Sequence, residues 1–404
     1  MEKRKAVEIK ENIYWTGVLD YDITVFDIIM TTEHGTTYNS YIVKGNQKTA
    51  LIEIAKESFF DEFIERVASV CDVASIDYII TNHTEPDHSG SLAKLLELND
   101  KAIVVGSQTA MKFLKEIANR EFPAQIVQDG DTLDLGGKTL QFISAPFLHW
   151  PDSMYTYLKE DKTLFSCDSF GCHYASDKLF NDAIEGDFIP AYQYYFDAIM
   201  GPFKSFVLQA LDKIKTFDID VICPGHGPIL RTDLSKYTAL YRQWATVVPP
   251  AKPSVAIPFV SAYGYTKMLA EKIAEGVRSA GDIDVFSFDL VTDDKAAAAE
   301  KIAVANGLLI GSPTLLGDTL PPIWSLLSEL NPIIHKGKLA GAFGSYGWSG
   351  EAVGNIEARL KQLRFKMPLP GLKIVFKPND ADLARAFDFG VAFAQAVLAS
   401  ATKG

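Results

Sequence analysis

Two regimes of hydrophobic patterning divide this chain. Before residue 247, apolar positions come in short strand-length bursts, often paired, with helical spacing only intermittently. Residues 38–43 and 49–54 flank Lys44-Gly45-Asn46-Gln47, which predicts a hairpin. Helical spacing predicts helices over 59–70 and 91–98, and strands are predicted at 76–81, 102–106, 139–144, 154–159, 163–166 and 220–223. This is a mixed α/β layer architecture with much antiparallel pairing. From residue 254 onward, strand and helix alternate strictly. Five short apolar strands (254–260, 283–289, 307–311, 339–344, 372–376) are interleaved with and followed by helices near 266–279, 294–305, 320–331, 350–363 and 380–399. Such βα units predict a doubly wound parallel sheet with ligands at the carboxyl ends of its strands. Between the regimes, Val247-Val248-Pro249-Pro250-Ala251-Lys252-Pro253 can continue neither a helix nor a central strand. It separates a domain of residues 1–250 from one of 251–404.

The strand at 76–81 runs straight into Asn82-His83-Thr84-Glu85-Pro86-Asp87-His88-Ser89-Gly90. A turn leaving a strand can aim alternating side chains at one point, so His83, Glu85 and Asp87 are expected to converge on a cation. Imidazole mixed with carboxylate suits a borderline or hard redox metal better than a thiolate cage does. The plainer alternative is a polar loop in which Asp87 and His88 pair with each other. Three further residues favour the metal. His149 follows the strand at 139–144 in Ala145-Pro146-Phe147-Leu148-His149, Asp168 ends the strand at 163–166, and His226 sits in Cys223-Pro224-Gly225-His226-Gly227.

Together these residues resemble the metallo-β-lactamase fold, whose motif is His-x-His-x-Asp-His followed by a His, a bridging Asp and a final His. Hydrolases of that fold carry His at the third position, where this chain has Glu85. The added carboxylate favours Fe²⁺/Fe³⁺ over Zn²⁺. With a flavodoxin-like second half, nearly the whole chain resembles the flavodiiron proteins. That resemblance implies a metallo-β-lactamase-like αββα sandwich followed by a flavodoxin-like doubly wound five-stranded parallel sheet. It implies two non-haem irons, one held by His83, Glu85 and His149, the other by Asp87, His88 and His226, with Asp168 bridging. Two metals about 3.5–4 Å apart, as in two-metal sites generally, can take up O₂ or two nitric oxide molecules together.

Nearby, His173 is either a proton donor beside the metals or a solvated loop histidine. Tyr194 and Tyr195 lie in a segment resembling one that lines the diiron pocket. They either hydrogen-bond the gas or its reduced product, or pack in an aromatic core. His34 and His335 read as structural or surface residues.

In the second half, the first strand runs into Ser261-Ala262-Tyr263-Gly264-Tyr265-Thr266 and then a helix. Hydroxyls and Gly at such a turn present backbone N–H groups and the helix dipole to a phosphate. Neither a GxxxxGK nor a GxGxxG pattern is present there, so a mononucleotide phosphate is the better fit, and the turn looks like the flavodoxin FMN-phosphate loop. Ser312-Pro313-Thr314-Leu315 ends the third strand and Ser345-Tyr346-Gly347-Trp348-Ser349-Gly350 the fourth. In flavodoxin-like folds these two loops clamp the isoalloxazine ring, and Trp348 or Tyr346 is available to stack on it.

Composition narrows the partners. A formal charge of −12 without Lys/Arg clusters argues against nucleic acid or an anionic membrane. No secretory leader is evident, and no apolar run approaches the ~20 residues of a membrane span. Four scattered cysteines (Cys71, Cys167, Cys172, Cys223) read as buried thiols of a reducing cytoplasm. The resemblance adds a head-to-tail homodimer or dimer of dimers. It also adds a separate electron donor, rubredoxin first and reduced deazaflavin second, since the chain ends at Gly404 without a Cys-x-x-Cys module. Rival readings are a metal-dependent hydrolase with an appended flavodoxin domain, and a plain electron carrier with an inert first half.

Overall fold

A computed structural model of the chain describes residues 5–28, 30–247 and 251–401. The charged start at 1–4 and residues 248–250 of the proline-rich break lie outside the described residues. Two compact units result, Met1–Val247 and Val248–Gly404.

The first unit is built on two sheets. A seven-stranded sheet runs in the order Val7–Lys10, Ile13–Trp15, Tyr41–Lys44, Thr49–Ile52, Tyr78–Ile80, Ile103–Gly106, Ala124–Ile126. A five-stranded sheet runs Thr132–Asp134, Thr139–Ser144, Met154–Leu158, Thr163–Cys167, Val221–Pro224. Side chains alternate across each strand, and in the central strands both faces are buried. Tyr41, Val43, Ile52, Ile80 and Val105 join Phe142, Met154, Phe165 and Cys223 in one core between the sheets. The alternate residues Ile42, Leu51, Ile79 and Val104 pack on the helices Phe60–Ala68, Leu92–Leu98 and Gln108–Ala118. On the far side, Ile143, Tyr155, Leu164 and Ile222 pack on Ile189–Tyr195, Lys204–Ile214 and Leu234–Ala245. Three parallel cores between four layers make an αββα sandwich. Two-sided burial is why its strands read as nearly continuous apolar runs.

The strand expected over 38–43 is broken. Thr36–Tyr38 pairs with Val18–Asp20 in a separate two-stranded sheet, while Tyr41–Lys44 pairs with Thr49–Ile52 in the large one. Asn39 and Ser40 interrupt it because their polar groups bond elsewhere: the Asn39 amide donates to the Pro224 and Gly227 carbonyls, and the Ser40 hydroxyl to the Glu53 carbonyl.

The second unit is a five-stranded parallel sheet in the order Asp284–Asp289, Ser254–Phe259, Gly307–Gly311, Leu339–Tyr346, Leu372–Val375. In sequence terms that order is second, first, third, fourth, fifth, the flavodoxin-like winding. Helices Tyr265–Ser279 and Asp380–Ala401 pack together on one face of the unit; Gly276 and Gly390 allow the close approach, since a Cβ at either would stand 2.1–2.2 Å from a backbone oxygen of the other helix. By length and composition alone Asp380–Ala401 is apolar enough to cross a membrane, which corrects the expectation of no such run. Its Ala386, Phe393, Ala394 and Val397 are instead spent on the core of this unit.

His335, expected to be structural or at the surface, is buried against Phe365, with ring centroids 5.6 Å apart. Burial, helped by Lys338, lowers its imidazole to about 4. An unfolded chain protonates His335 near its ordinary ~6.5, so the unfolded state binds the extra proton first. Stability should therefore fall as pH drops from about 6.5 toward 4, by roughly 1–2 kcal/mol from this residue after solvent screening. In denaturant titrations at pH 7 and pH 5, His335→Leu should show a smaller acid-side loss than the unsubstituted chain.

Candidate metal centre

All seven predicted ligands leave strand ends on one edge of the sandwich. Tyr78–Ile80 of the large sheet leads to His83, and Thr139–Ser144, Thr163–Cys167 and Val221–Pro224 of the small one lead to His149, Asp168 and His226. Asn82 couples the sheets: its carbonyl accepts from the Met154 N–H at 2.9 Å and its side-chain oxygen from the Thr156 hydroxyl at 2.7 Å. Strand alternation carries only His83 and Glu85 to one point. Pro86 then starts a single helical turn, Pro86–Ser89, which delivers Asp87 and His88 to a second point. One ligand atom from each of His83, Glu85, His149 and Asp168 falls within a mutual 4.8 Å, and the same holds for Asp87, His88 and His226. Asp168 stands between them. Its Oδ1 is 3.0 Å from His88 Nε2 and 3.5 Å from His226 Nε2, while Oδ2 is 3.4 Å from His149 Nε2 and 3.5 Å from His83 Nε2.

The donor set demands a positive charge at its centre. His226 Nδ1 donates to the Thr37 carbonyl at 2.5 Å, so a neutral ring presents a lone pair at Nε2. That lone pair faces Asp87 Oδ2, itself an acceptor, 3.1 Å away. His83 repeats the arrangement, with Nδ1 on Asp152 at 3.2 Å and Nε2 facing Glu85 at 3.3 Å. Both Asp87 oxygens and Asp168 Oδ2 are buried and lack a hydrogen-bond partner among the described residues. Lone pairs aimed at lone pairs in a dry site fit a cation. Protons show the same demand. Burial opposes ionisation of Glu85, Asp87 and Asp168, yet the facing histidines hold all three below the ordinary carboxylate range. Burial likewise opposes charging His83, His88 and His149, but the carboxylates raise them, His88 to about 10.

Other residues complete the setting. Asp152, buried, accepts from the Thr84 N–H and hydroxyl as well as His83. Glu53, also buried, accepts from the Asn82 N–H at 2.8 Å, and burial pushes its carboxyl up to about 7. Tyr195 is buried and its hydroxyl donates to Asp168 Oδ1 at 3.0 Å. His173 is no solvated loop residue: it is 4 % exposed, bonds Thr36 Oγ1 at 2.9 Å through Nδ1 and stacks near Phe26 at 4.4 Å. Burial first, then His226, lowers it to about 3, so it stays a neutral imidazole at neutral pH. Tyr194 and His34 line an adjoining cavity with His173.

In the second unit, the three predicted loops meet at the carboxyl ends of the parallel strands. Thr266 and Ser345 hydroxyls lie 2.9 Å apart, and the Thr314 N–H donates to the Ser345 carbonyl at 3.0 Å. Gly264 enters the helix Tyr265–Ser279 at φ +84° with no side chain of its own to cap it, and Ser261 Oγ takes the Lys267 N–H, so the first N–H groups of that turn remain for an anion. Gly350 adopts φ +73° under the Tyr346 ring. Tyr263 and Trp348 are 80 % and 95 % exposed at this rim, and Leu315 is exposed beside them. The Ser312 hydroxyl accepts from the Leu320 N–H and supports its own loop. Ser261 Oγ accepts from the Lys267 N–H, and Ala262, Pro313, Gly347 and Ser349 complete the loops.

Comparison with known proteins agrees with both units. A family model for the ODP family beta lactamase matches residues 36–227, and one for flavodoxin matches 257–390. The chain is 42 % identical over 401 residues to the flavo-diiron protein FprA2 of Clostridium acetobutylicum, covering 97 % of this chain and 100 % of that one. It is 35 % identical over 393 residues to a nitric oxide reductase of Moorella thermoacetica, covering 96 % and 97 %. The solved rubredoxin oxygen:oxidoreductase of Desulfovibrio gigas superposes with a TM-score of 0.69 at 29 % identity, covering 98 % and 99 % of the two chains.

Gly225 offers a direct test of the site's packing. A Cβ there would stand 2.6 Å from His88 Cε1 and 3.2 Å from the Cys167 backbone carbon. Gly225→Ala should cost about 1–3 kcal/mol by overpacking, read as a lower denaturation midpoint, and should weaken metal uptake through a displaced His88.

Proposed function

The chain belongs to the flavodiiron proteins, and from that premise we propose that it is an oxidoreductase that takes electrons from a separate carrier and reduces O₂ to water, nitric oxide to nitrous oxide, or both. Relatives named for nitric oxide reduction and for rubredoxin-dependent oxygen reduction support both gases. When bound, FMN supplies an acceptor for electrons from the carrier, and two irons supply one electron each together with open positions for the gas.

The observation that carries the reading is Asp168, one carboxylate with an oxygen toward each of two ligand groups. In this proposal His83, Glu85 and His149 hold one iron, Asp87, His88 and His226 the other, and Asp168 is shared. Asp152 and the Thr37 carbonyl fix the His83 and His226 rings so that each turns Nε2 inward. The Tyr195 hydroxyl orients Asp168 and keeps an O–H at the site. Neutral His173 and Phe26 close the side next to His226 and keep bulk water from it. In the second unit the N–H groups opening Tyr265–Ser279 would hold the flavin phosphate, and the loops at Ser312–Leu315 and Ser345–Gly350 would hold the ring. Rubredoxin is the donor the resemblance favours, with reduced deazaflavin next. A head-to-tail homodimer or dimer of dimers and a cytoplasmic location belong to the same reading.

Anaerobically reduced protein mixed with O₂ or nitric oxide should consume gas while its flavin is oxidised. Asp168→Asn should lower turnover at least about 100-fold, since loss of even an outer-shell partner acts on that scale, with flavin content and reducibility retained. Flavin reoxidation at the unsubstituted rate in Asp168→Asn would reduce the chain to an electron carrier.

A further inference from the structure

Among the histidines of the metal centre, His83 and His226 each have the outward ring nitrogen fixed, on Asp152 and on the Thr37 carbonyl. His88 does not: its Nδ1 is buried and has no hydrogen-bond partner among the described residues. Glu53 stands in the same position of need. It is 1 % exposed, Oε1 is taken by the Asn82 N–H, and Oε2 has no partner among the described residues. A Glu53 carboxylate oxygen, a His88 ring nitrogen and the Cys167 sulfur lie within 4.8 Å of one another. That separation is within reach of a small ring rotation or one bridging water.

The backbone holds both residues for this contact. Glu53 adopts φ +58°, an uncommon conformation for a residue with a Cβ, at the end of the strand Thr49–Ile52. Its N–H donates to the Ile80 carbonyl, its carbonyl accepts from the Ser40 hydroxyl, and the next N–H, of Ile54, donates to the His88 carbonyl at 3.1 Å. Gly225 backs the ring edge carrying Nδ1 and Cε1, where a Cβ would stand 3.3 Å and 2.6 Å from those atoms. A buried carboxyl with one free oxygen, in a strained conformation, beside a ligand ring with one free nitrogen, is poorly explained as packing.

We propose that Glu53 is a positioning residue for His88, accepting its Nδ1–H so that the Nε2 lone pair faces the metal position shared with Asp87 and His226. The assignment rests on the diiron reading above. It makes Glu53 the counterpart of Asp152, one carboxyl behind a ligand histidine of each metal position. Outer-shell partners of this kind typically change metal affinity 10–100-fold.

The test is anaerobic Co²⁺ titration of the metal-free full chain, followed by the visible ligand-field bands, which needs no turnover. The unsubstituted chain should bind two equivalents. Glu53→Leu should bind the first like the unsubstituted chain and the second 10–100-fold more weakly, with altered bands for that equivalent alone. Glu53→Gln, whose carbonyl can still accept from Nδ1–H, should restore the second within about threefold. If Glu53→Leu does not fold, Glu53→Asp decides, because one methylene less reach should weaken the second equivalent alone. Binding of both equivalents at the unsubstituted affinity in the folded Leu variant, or in the Asp variant where it replaces it, would overturn the assignment. So would equal weakening of both equivalents in the Leu and Gln variants, which marks a packing role. Failure of the unsubstituted chain to bind two equivalents would instead bring down the diiron reading, and this inference with it.

Discussion

The first unit is organised around a charge conflict that only a cation resolves. Asp168 places two carboxylate oxygens between four imidazole nitrogens, and Glu85 and Asp87 add acceptors from either side, all in a site nearly closed to water. Without compensating charge such a cluster would be strongly disfavoured in a low-dielectric interior. The surrounding hydrogen bonds make the conflict sharper, because Asp152 and the Thr37 carbonyl consume the outward N–H of two rings and leave lone pairs inward. Metal binding and folding of this edge are therefore expected to be linked.

The sandwich explains how residues so far apart in the chain reach one point. Thr163–Cys167 and Val221–Pro224 are parallel neighbours, so Asp168 and His226 leave the same end of the same sheet. Tyr78–Ile80 comes from the opposite sheet, and Asn82 ties it to the strand Met154–Leu158. The core between the sheets fixes their spacing, and the ligands ride on that spacing. The second unit uses the same device in a different fold: parallel strands deliver three loops to one rim. In both units the candidate site lies where strands end, because there backbone groups and side chains are freed from the ladder while their origins stay rigid.

Much of this was legible in the sequence. A polar residue closing an apolar strand is conspicuous, and that signal found His83, Asp168 and His226, while strict βα alternation found the second unit and its parallel sheet, though not the order of its strands. Glu53 was passed over, because the strand predicted over 49–54 runs through it and a lone carboxylate without a neighbouring histidine or glycine does not stand out. Asp152 was hidden because its role depends on facing His83 across the sheets, which no local pattern encodes. The one-turn helix at Pro86–Ser89 was also missed, although Pro86 is a usual helix opener; it is what separates Asp87 from His83 and Glu85. His173 read equally well as a surface residue, since burial by Phe26 and Tyr195 is a tertiary fact.

The central claim is that seven side chains form one centre for two irons sharing Asp168. Anomalous diffraction from crystals of anaerobically prepared protein, collected on either side of the iron and zinc absorption edges, tests it most directly. The expected map has two iron peaks, one nearest His83, Glu85 and His149 and the other nearest Asp87, His88 and His226, with Asp168 in contact with both. A single peak, or a signal that appears only at the zinc edge, would contradict the claim and return the first unit to the hydrolases that share its fold.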